Sequence, residues 1–193
     1  MEDFIFYTKQ GFFHVLDVNA LDHVLFFIAL TVIFGFKNWK KALLLITFFT
    51  IGHSATFALS AYDYLSVDVD LVEFLIPITI LIPLLINSYN AIKEKEMQQN
   101  NLNIYFAFFF GLIHGLGFSN YFKMLLDKSD DKLIPLLEFA LGIEFAQIII
   151  VLLVLIFGHI FQSLFHLKKR IWILIISILI LFYIIPMVIE RIP

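Results

Sequence analysis

The amino-acid sequence predicts an all-α membrane protein: a bundle of about six transmembrane helices plus a short N-terminal interfacial or re-entrant helix, in one domain over residues 1–193. Hydrophobic residues make up 61% of the chain, with 24 Phe, whereas only 15% of the residues are charged. A soluble domain of this size cannot bury so much apolar side chain, so the surrounding solvent must be lipid. Six apolar segments of membrane length, separated by loops of alternating charge character, support the same conclusion.

The elements follow in order along the chain. The first stretch, 3–16, is apolar but too short to cross a bilayer, which predicts the interfacial or re-entrant helix. It begins with two acids and lacks a small-residue cleavage site, so we interpret it as mature sequence and not as a signal peptide. Membrane spans need about 20 mostly apolar residues. Six segments come close to this length, at roughly 20–36, 41–61, 71–91, 103–122, 134–160 and 171–189.

Basic residues predict the orientation of these spans. The loops after the first, third and fifth spans carry Lys37, Lys40, Lys41, Lys93, Lys95, Lys168, Lys169 and Arg170. Short loops rich in Lys and Arg stay in the cytoplasm. We therefore expect both termini on the outer side of a bacterial-type inner (plasma) membrane. The chain has no basic patch typical of nucleic-acid binding, so the expected partners are the lipid bilayer and a metal ion, and the net charge of −3 adds little to this.

Ionisable residues inside the apolar segments are the main indication of function. Each costs several kcal/mol in hydrocarbon unless it pairs, binds a ligand or lines a wet cavity. They are His14, Asp17, Asp22, His23, His53, Glu73, His114 and Glu144. In the predicted orientation all of them fall in the outer half of the bundle. Because the chain has no cysteine, a metal there would be held by imidazole and carboxylate, which suit a divalent ion of Ni, Zn, Fe, Mn or Co better than Cu(I).

The spacing of the first four residues leaves their roles open. His14 and Asp17 share a helical face and could chelate one metal, or the carboxylate could orient the imidazole. Asp22 and His23 are about 100° apart on a helix, so they are not expected to chelate as a pair. Asp22 could instead cap the first span.

The later residues also have alternative interpretations. A hydroxyl of Thr50 or Ser54, on the same helical face as His53, could hydrogen-bond that histidine. Glu73 is close enough to the outer interface to be simply solvated. Glu144, in an otherwise apolar run, must be protonated, paired or metal-bound.

Two further patterns concern the helices that carry His53 and His114. Each histidine lies four residues after one Phe and four before another, in Phe49-x3-His53-x3-Phe57 and in Phe110-x3-His114-x3-Phe118. This weak echo is compatible with an internal repeat or with chance in a Phe-rich chain. The glycines at 111, 115 and 117 predict close helix packing beside His114, and prolines at 77 and 83 interrupt the third span.

These segments resemble the HupE/UreJ family of small membrane proteins. The resemblance is carried by HVLDVNALDHVLFFIAL, FTIGHSATFAL, VEFLIPITI, GLIHGLGFS and FALGIEFAQ, which occur in the family's order. It implies a polytopic inner-membrane protein associated with nickel uptake. The residues on matching motif positions are His14, Asp22, His23, His53, Glu73, His114 and Glu144. The chain departs from the hydrogenase-linked branch, which has a signal peptide and a more His-rich first motif.

Two functional classes fit these features. The first is binding and permeation of a divalent metal such as nickel, with the proline-containing third span as the moving element. The inner half of the bundle offers few polar groups for release, Thr47, Asn87, Ser88 and His159. The second is an intramembrane zinc-dependent hydrolase that acts on a lipid or lipid-linked substrate, with Asp22, Ser54 and Glu144 as catalytic candidates. A metal sensor or a structural subunit is a third possibility.

Overall fold

The protein is described by a computed structural model that covers residues 2–18, 20–95, 102–126 and 132–192. Within these ranges it forms seven α-helices and no β-strand. They are α1 (Glu2–Val15), α2 (Asp22–Thr31), α3 (Trp39–Ala61), α4 (Val69–Ile92), α5 (Leu102–Leu126), α6 (Leu133–Ser163) and α7 (Lys169–Glu190). The helices α3, α4, α6 and α7 are long and apolar enough to span a membrane. The chain is therefore a multi-pass membrane protein, and the total of about six spans stays a prediction.

The first expected span, 20–36, is not one helix. Helix α2 ends at Thr31, whose hydroxyl donates to the Phe27 carbonyl, and Gly35 is extended (φ −91°, ψ 163°) before a single 3₁₀ turn over Phe36–Asn38. Ten residues at 1.5 Å each make α2 about 15 Å long, roughly half the hydrocarbon thickness. Its first residues, Asp22 and His23, are buried inside the bundle.

The N-terminal segment forms α1, which packs tightly along α6; its interfacial or re-entrant position stays a prediction. At the crossing, a Cβ on Gly11 would collide with the Phe139 carbonyl, and a Cβ on Gly142 would collide with the Thr8 carbonyl. Only glycine permits backbones to approach this closely. The segment is thus fixed to the bundle along one side, while Phe4, Ile5 and Phe13 remain exposed on the other.

Helices α3 and α5 form the central pair of the bundle. A Cβ on Gly111 would meet the Phe49 carbonyl, and one on Gly115 would meet the His53 carbonyl, so the two helices run in parallel with their backbones in contact. This confirms the packing interpretation of these two glycines. Gly117 instead faces α4, where a Cβ would lie 2.8 Å from Ile76 Cδ1.

Polar contacts at the two ends show how the helices alternate. At one end Arg170 pairs with Glu94, between the start of α7 and the end of α4. We call this the basic end, because the Lys- and Arg-rich loops lie there. At the opposite end Lys132 Nζ donates to the Ala61 carbonyl over 2.8 Å, which joins the start of α6 to the end of α3.

A side chain at the end of α7 compensates for the first of the two prolines in helix α4. Asp68 caps its N-terminus by accepting from the Asp70 N–H at 2.9 Å. Pro77 has no N–H, so the carbonyl of Glu73 four residues earlier lacks its helical donor. The guanidinium of Arg191, at the end of α7, donates to that carbonyl over 3.2 Å.

Candidate metal centre

Histidines from three helices converge on one point in the interior. His14 of α1, His23 of α2 and His53 of α3 each offer a ring nitrogen, and these three atoms all lie within 4.8 Å of one another. The Nε2 atoms of His23 and His53 are 3.4 Å apart. His114 of α5 stands beside them, with its ring centre 5.3 Å from that of His23. Each of the four helices therefore supplies one imidazole.

Hydrogen bonds fix the tautomers of two of these rings. His23 Nδ1 lies 3.0 Å from Asp22 Oδ1, and because a carboxylate can only accept, Nδ1 carries the proton. The same oxygen accepts from the backbone N–H of His23 at 2.8 Å. His114 Nδ1 donates in the same way to the Phe110 carbonyl at 2.9 Å. In both rings the lone pair is therefore on Nε2, the atom that faces the interior.

Several ring nitrogens in the cluster have no partner. Among the described atoms, His14 Nε2, His53 Nδ1 and His114 Nε2 are buried without a hydrogen bond. An unpaired buried polar atom costs about 1–3 kcal/mol. His14 Nε2 and His114 Nε2 can each offer a lone pair to a metal ion, which would satisfy both atoms in a dry pocket, whereas His53 Nδ1 carries the proton whenever His53 Nε2 is the ligand.

Phenylalanines enclose the cluster on the side of the basic end. The ring centre of Phe26 lies 5.0 Å from that of Phe49 and 5.9 Å from that of Phe110. His114 rests on this group, 5.1 Å from Phe26 and 5.2 Å from Phe49. We call Phe26, Phe49 and Phe110 the Phe26 layer. It separates the histidines from the basic end of the bundle.

A second set of phenylalanines covers the opposite side. The ring centre of Phe57 lies 5.3 Å from that of Phe139 and 5.8 Å from that of Phe118. His53 contacts Phe57 at 4.5 Å, and His14 stacks on Phe118 at 3.7 Å. We call Phe57, Phe118 and Phe139 the Phe139 layer. The Phe-x3-His-x3-Phe pattern in the sequence indicates part of both layers, because it places a Phe one helical turn before and after His53 and His114.

A cleft opens beside His14 at the edge of the Phe139 layer. It is lined by Gln10, Phe13, His14, Asp17 and Phe118, among others. Asp17 therefore lies at the mouth of the site, next to the predicted ligand His14. Of the four histidines, only His14 lines this cleft.

Glu144 is not with the histidines. Its two carboxylate oxygens accept from the hydroxyls of Thr47, at 2.6 Å, and Thr50, at 2.5 Å. Thr50 Oγ1 also lies 2.9 Å from Gln147 Oε1. The expectation that Thr50 supports His53 is therefore wrong, because that hydroxyl serves Glu144 on α6 instead. Glu144 is therefore paired, which is one of the three states expected for an acid in an apolar segment. Its partners are threonines of α3, which the sequence around Glu144 does not reveal.

Two more predicted residues, Glu73 and Ser54, make no described contact with the histidines. Glu73 is exposed at the opposite end, in a cleft with Asp70, Glu190 and Arg191. Ser54 follows His53 directly, yet its buried hydroxyl has no hydrogen-bond partner among the described atoms. The geometry thus brings together His14, His23, His53 and His114, with Asp22 in support, and gives Glu73 and Ser54 no role there.

Comparison with known proteins gives one match. A family model described as "HupE / UreJ protein" matches residues 1–191, essentially the whole chain. Neither the curated proteins nor the solved structures contain a match to this chain.

Proposed function

Since the chain belongs to the HupE/UreJ family, we propose that it binds a divalent transition metal at the histidine cluster and carries it across the membrane, with nickel as the first candidate. The ligands are His14, His23 and His53, and His114, whose buried Nε2 also has no hydrogen-bond partner, is the fourth. Imidazole ligands suit nickel, zinc and cobalt. Membership in a metal-transport-related family and a buried cluster of imidazoles both support this function.

The observation that carries the proposal is the 3.4 Å separation of the Nε2 atoms of His23 and His53. Two nitrogens that each lie about 2.1 Å from a tetrahedral metal are separated by about 3.4 Å, and at a right angle by about 3.0 Å. In the metal-free protein the same separation allows His53 Nε2 to donate a hydrogen bond to the lone pair on His23 Nε2, and a bound ion would replace that bond. The two rings are therefore already spaced for a shared ion.

Asp22 supports the site as an orienting group. By accepting from His23 Nδ1 it holds the ring and raises the basicity of the opposite nitrogen, as carboxylates do behind metal-bound histidines. The same oxygen also accepts from the backbone N–H of His23. The expectation that Asp22 caps this helix is wrong, because Leu21 is the N-cap residue of α2 and no side chain caps it. The contact with His23 Nδ1 favours the supporting role instead.

The test is metal titration of the purified protein, followed by metal flux into proteoliposomes. We expect saturable flux of Ni²⁺ or Zn²⁺ in the unaltered protein and its loss in His53→Ala. The matched control is His159→Ala, because His159 is an exposed histidine near Phe36 and outside the cluster. Tight zinc without flux would contradict transport and favour the zinc-dependent hydrolase instead.

The orientation is part of the same proposal. We expect the basic end in the cytoplasm and the cleft beside His14 open to the outside, in keeping with the positive-inside rule. Reporter fusions or labelling of single cysteines in the loops can test this. A loop between α4 and α5 that is labelled from the outside would contradict the orientation.

A further inference from the structure

The Phe26 layer is a barrier with a cavity behind it. Phe26 follows His23 by three residues on α2, whereas Phe49 and Phe110 precede His53 and His114 by four. Because α2 runs opposite to α3 and α5, all three rings lie toward the basic end. Phe110 also lines a cavity of about 140 Å³ between α2, α4 and α5. One side chain is therefore both the floor of the histidine cluster and a wall of this cavity.

The cavity carries amide groups in a part of the bundle that is otherwise apolar. Asn87, Asn90 and Asn103 line it together with Leu30 and Phe110. Asn87 Nδ2 donates to the Ala29 carbonyl at 2.9 Å, which ties α4 to the end of α2. A cavity needs roughly 10–15 Å³ for one water, so this one has room for several. Amide oxygens accept hydrogen bonds from water and also coordinate divalent cations.

Helix α4 has a weak point at this cavity. Pro83 lines it and supplies no N–H, so the carbonyl of Thr79 lacks its helical donor. Prolines are the usual positions at which helices bend. A small bend of α4 at Pro83 would move Asn87 and Asn90 away from α2 and α5, and would thereby open the space behind the Phe26 layer.

We propose that this cavity is the release station for the metal: a water-filled site where the asparagines receive a hydrated divalent cation once the Phe26 layer opens. The proposal rests on the transport function above and supplies the exit that it needs. An ion that leaves the histidines cannot cross three phenylalanine rings without a large desolvation penalty. The Phe26 layer therefore blocks the path from the histidines to the cavity in this structure. Beyond the layer, the amide oxygens and water would together solvate the ion.

The chain has no cysteine, so single cysteines can report where water reaches. We would make Asn90→Cys and Asn103→Cys, with Leu85→Cys as the matched control, because Leu85 is 52% exposed on α4 and does not line the cavity. A charged methanethiosulfonate reagent is then applied to each face of proteoliposomes. The reagent reacts with the thiolate form of cysteine, and the thiolate forms only where water reaches the side chain. We expect the cavity cysteines to react at least tenfold faster than Leu85→Cys, from the basic end only.

A flux measurement completes the test. Asn90→Leu should lower Ni²⁺ or Zn²⁺ flux at least tenfold and leave the metal affinity of the histidine cluster within threefold. If the unaltered protein carries metal but the cavity cysteines react no faster than Leu85→Cys, or Asn90→Leu keeps full flux, the release station is wrong and transport stands. If the unaltered protein binds metal and carries none, transport and the release station are both wrong.

Discussion

Removal of the charge behind His23 gives the sharpest test of the metal centre. Asp22→Asn keeps the size of the side chain and one acceptor oxygen, but it changes the bond to His23 Nδ1 from a charged to a neutral one. Hydrogen bonds to charged groups contribute about 1.5–3 kcal/mol and neutral ones about 0.5–1.5 kcal/mol. The midpoints of these ranges differ by about 1.25 kcal/mol, which corresponds to a loss of metal affinity of roughly eightfold.

The larger change, Asp22→Ala, removes the acceptor altogether. Substitutions of groups that orient metal-bound histidines typically cost 10–100-fold in metal affinity. We therefore expect the dissociation constant for Ni²⁺ or Zn²⁺ to rise in the order unaltered protein, Asp22→Asn, Asp22→Ala. Glu73→Gln is the control, since Glu73 is an exposed carboxylate in a separate cleft away from the histidines, and it should change affinity less than threefold.

The assay is competition titration against a chromophoric chelator in detergent, with thermal unfolding as a check that each variant is folded. Unchanged metal affinity in Asp22→Ala would refute the reasoning, because the hydrogen bonds between His23 and Asp22 would then not affect metal binding. A larger loss in Asp17→Asn than in Asp22→Asn would likewise refute it. That result would make Asp17 the carboxylate that serves the site.

Two further substitutions test the packing and the limits of the site. Gly111→Ala should lower the thermal unfolding midpoint, since overpacking costs about 1–3 kcal/mol. Gly35→Ala is the control, because nothing lies within 4 Å of its added Cβ, and it should change the midpoint little. Equal midpoints in the two variants would contradict the close contact of α3 with α5. Glu144→Gln should leave metal affinity within threefold, because both carboxylate oxygens are occupied by threonine hydroxyls; a tenfold loss in the titration would instead return Glu144 to the metal site.

The helices and the convergence of the histidines could be predicted from the sequence, since both follow from local patterns. Apolar stretches define helices, and lysines in the loops define their direction, so His53 and His114 fall at matching depth on parallel helices. The end of α2 at Thr31 could not be predicted in this way. Phe34 and Phe36 continue the apolar run, and only the extended backbone at Gly35 interrupts the helix.

The pairing of Glu144 was also beyond local reasoning. Its partners, Thr47 and Thr50, are 97 and 94 residues away in sequence. Which face of α6 meets α3 depends on how the whole bundle packs, and the hydropathy of α6 has almost no periodicity to reveal it. A charged residue in an apolar segment therefore predicts that a partner exists, but not which partner it is.

The unpaired nitrogens of the histidine cluster imply a balance between stability and function. Each of the three buried nitrogens costs about 1–3 kcal/mol without metal, so His114→Leu should raise the thermal midpoint of the metal-free protein. Bound metal should make the unaltered protein the more stable of the two. A ligand present at 100 times its dissociation constant adds about 2.7 kcal/mol to the free energy of unfolding. In saturating Ni²⁺ or Zn²⁺ the unaltered protein should gain this stability, and His114→Leu should gain less. A metal-free midpoint that falls in His114→Leu would show that the ring is retained for packing and not for binding an ion.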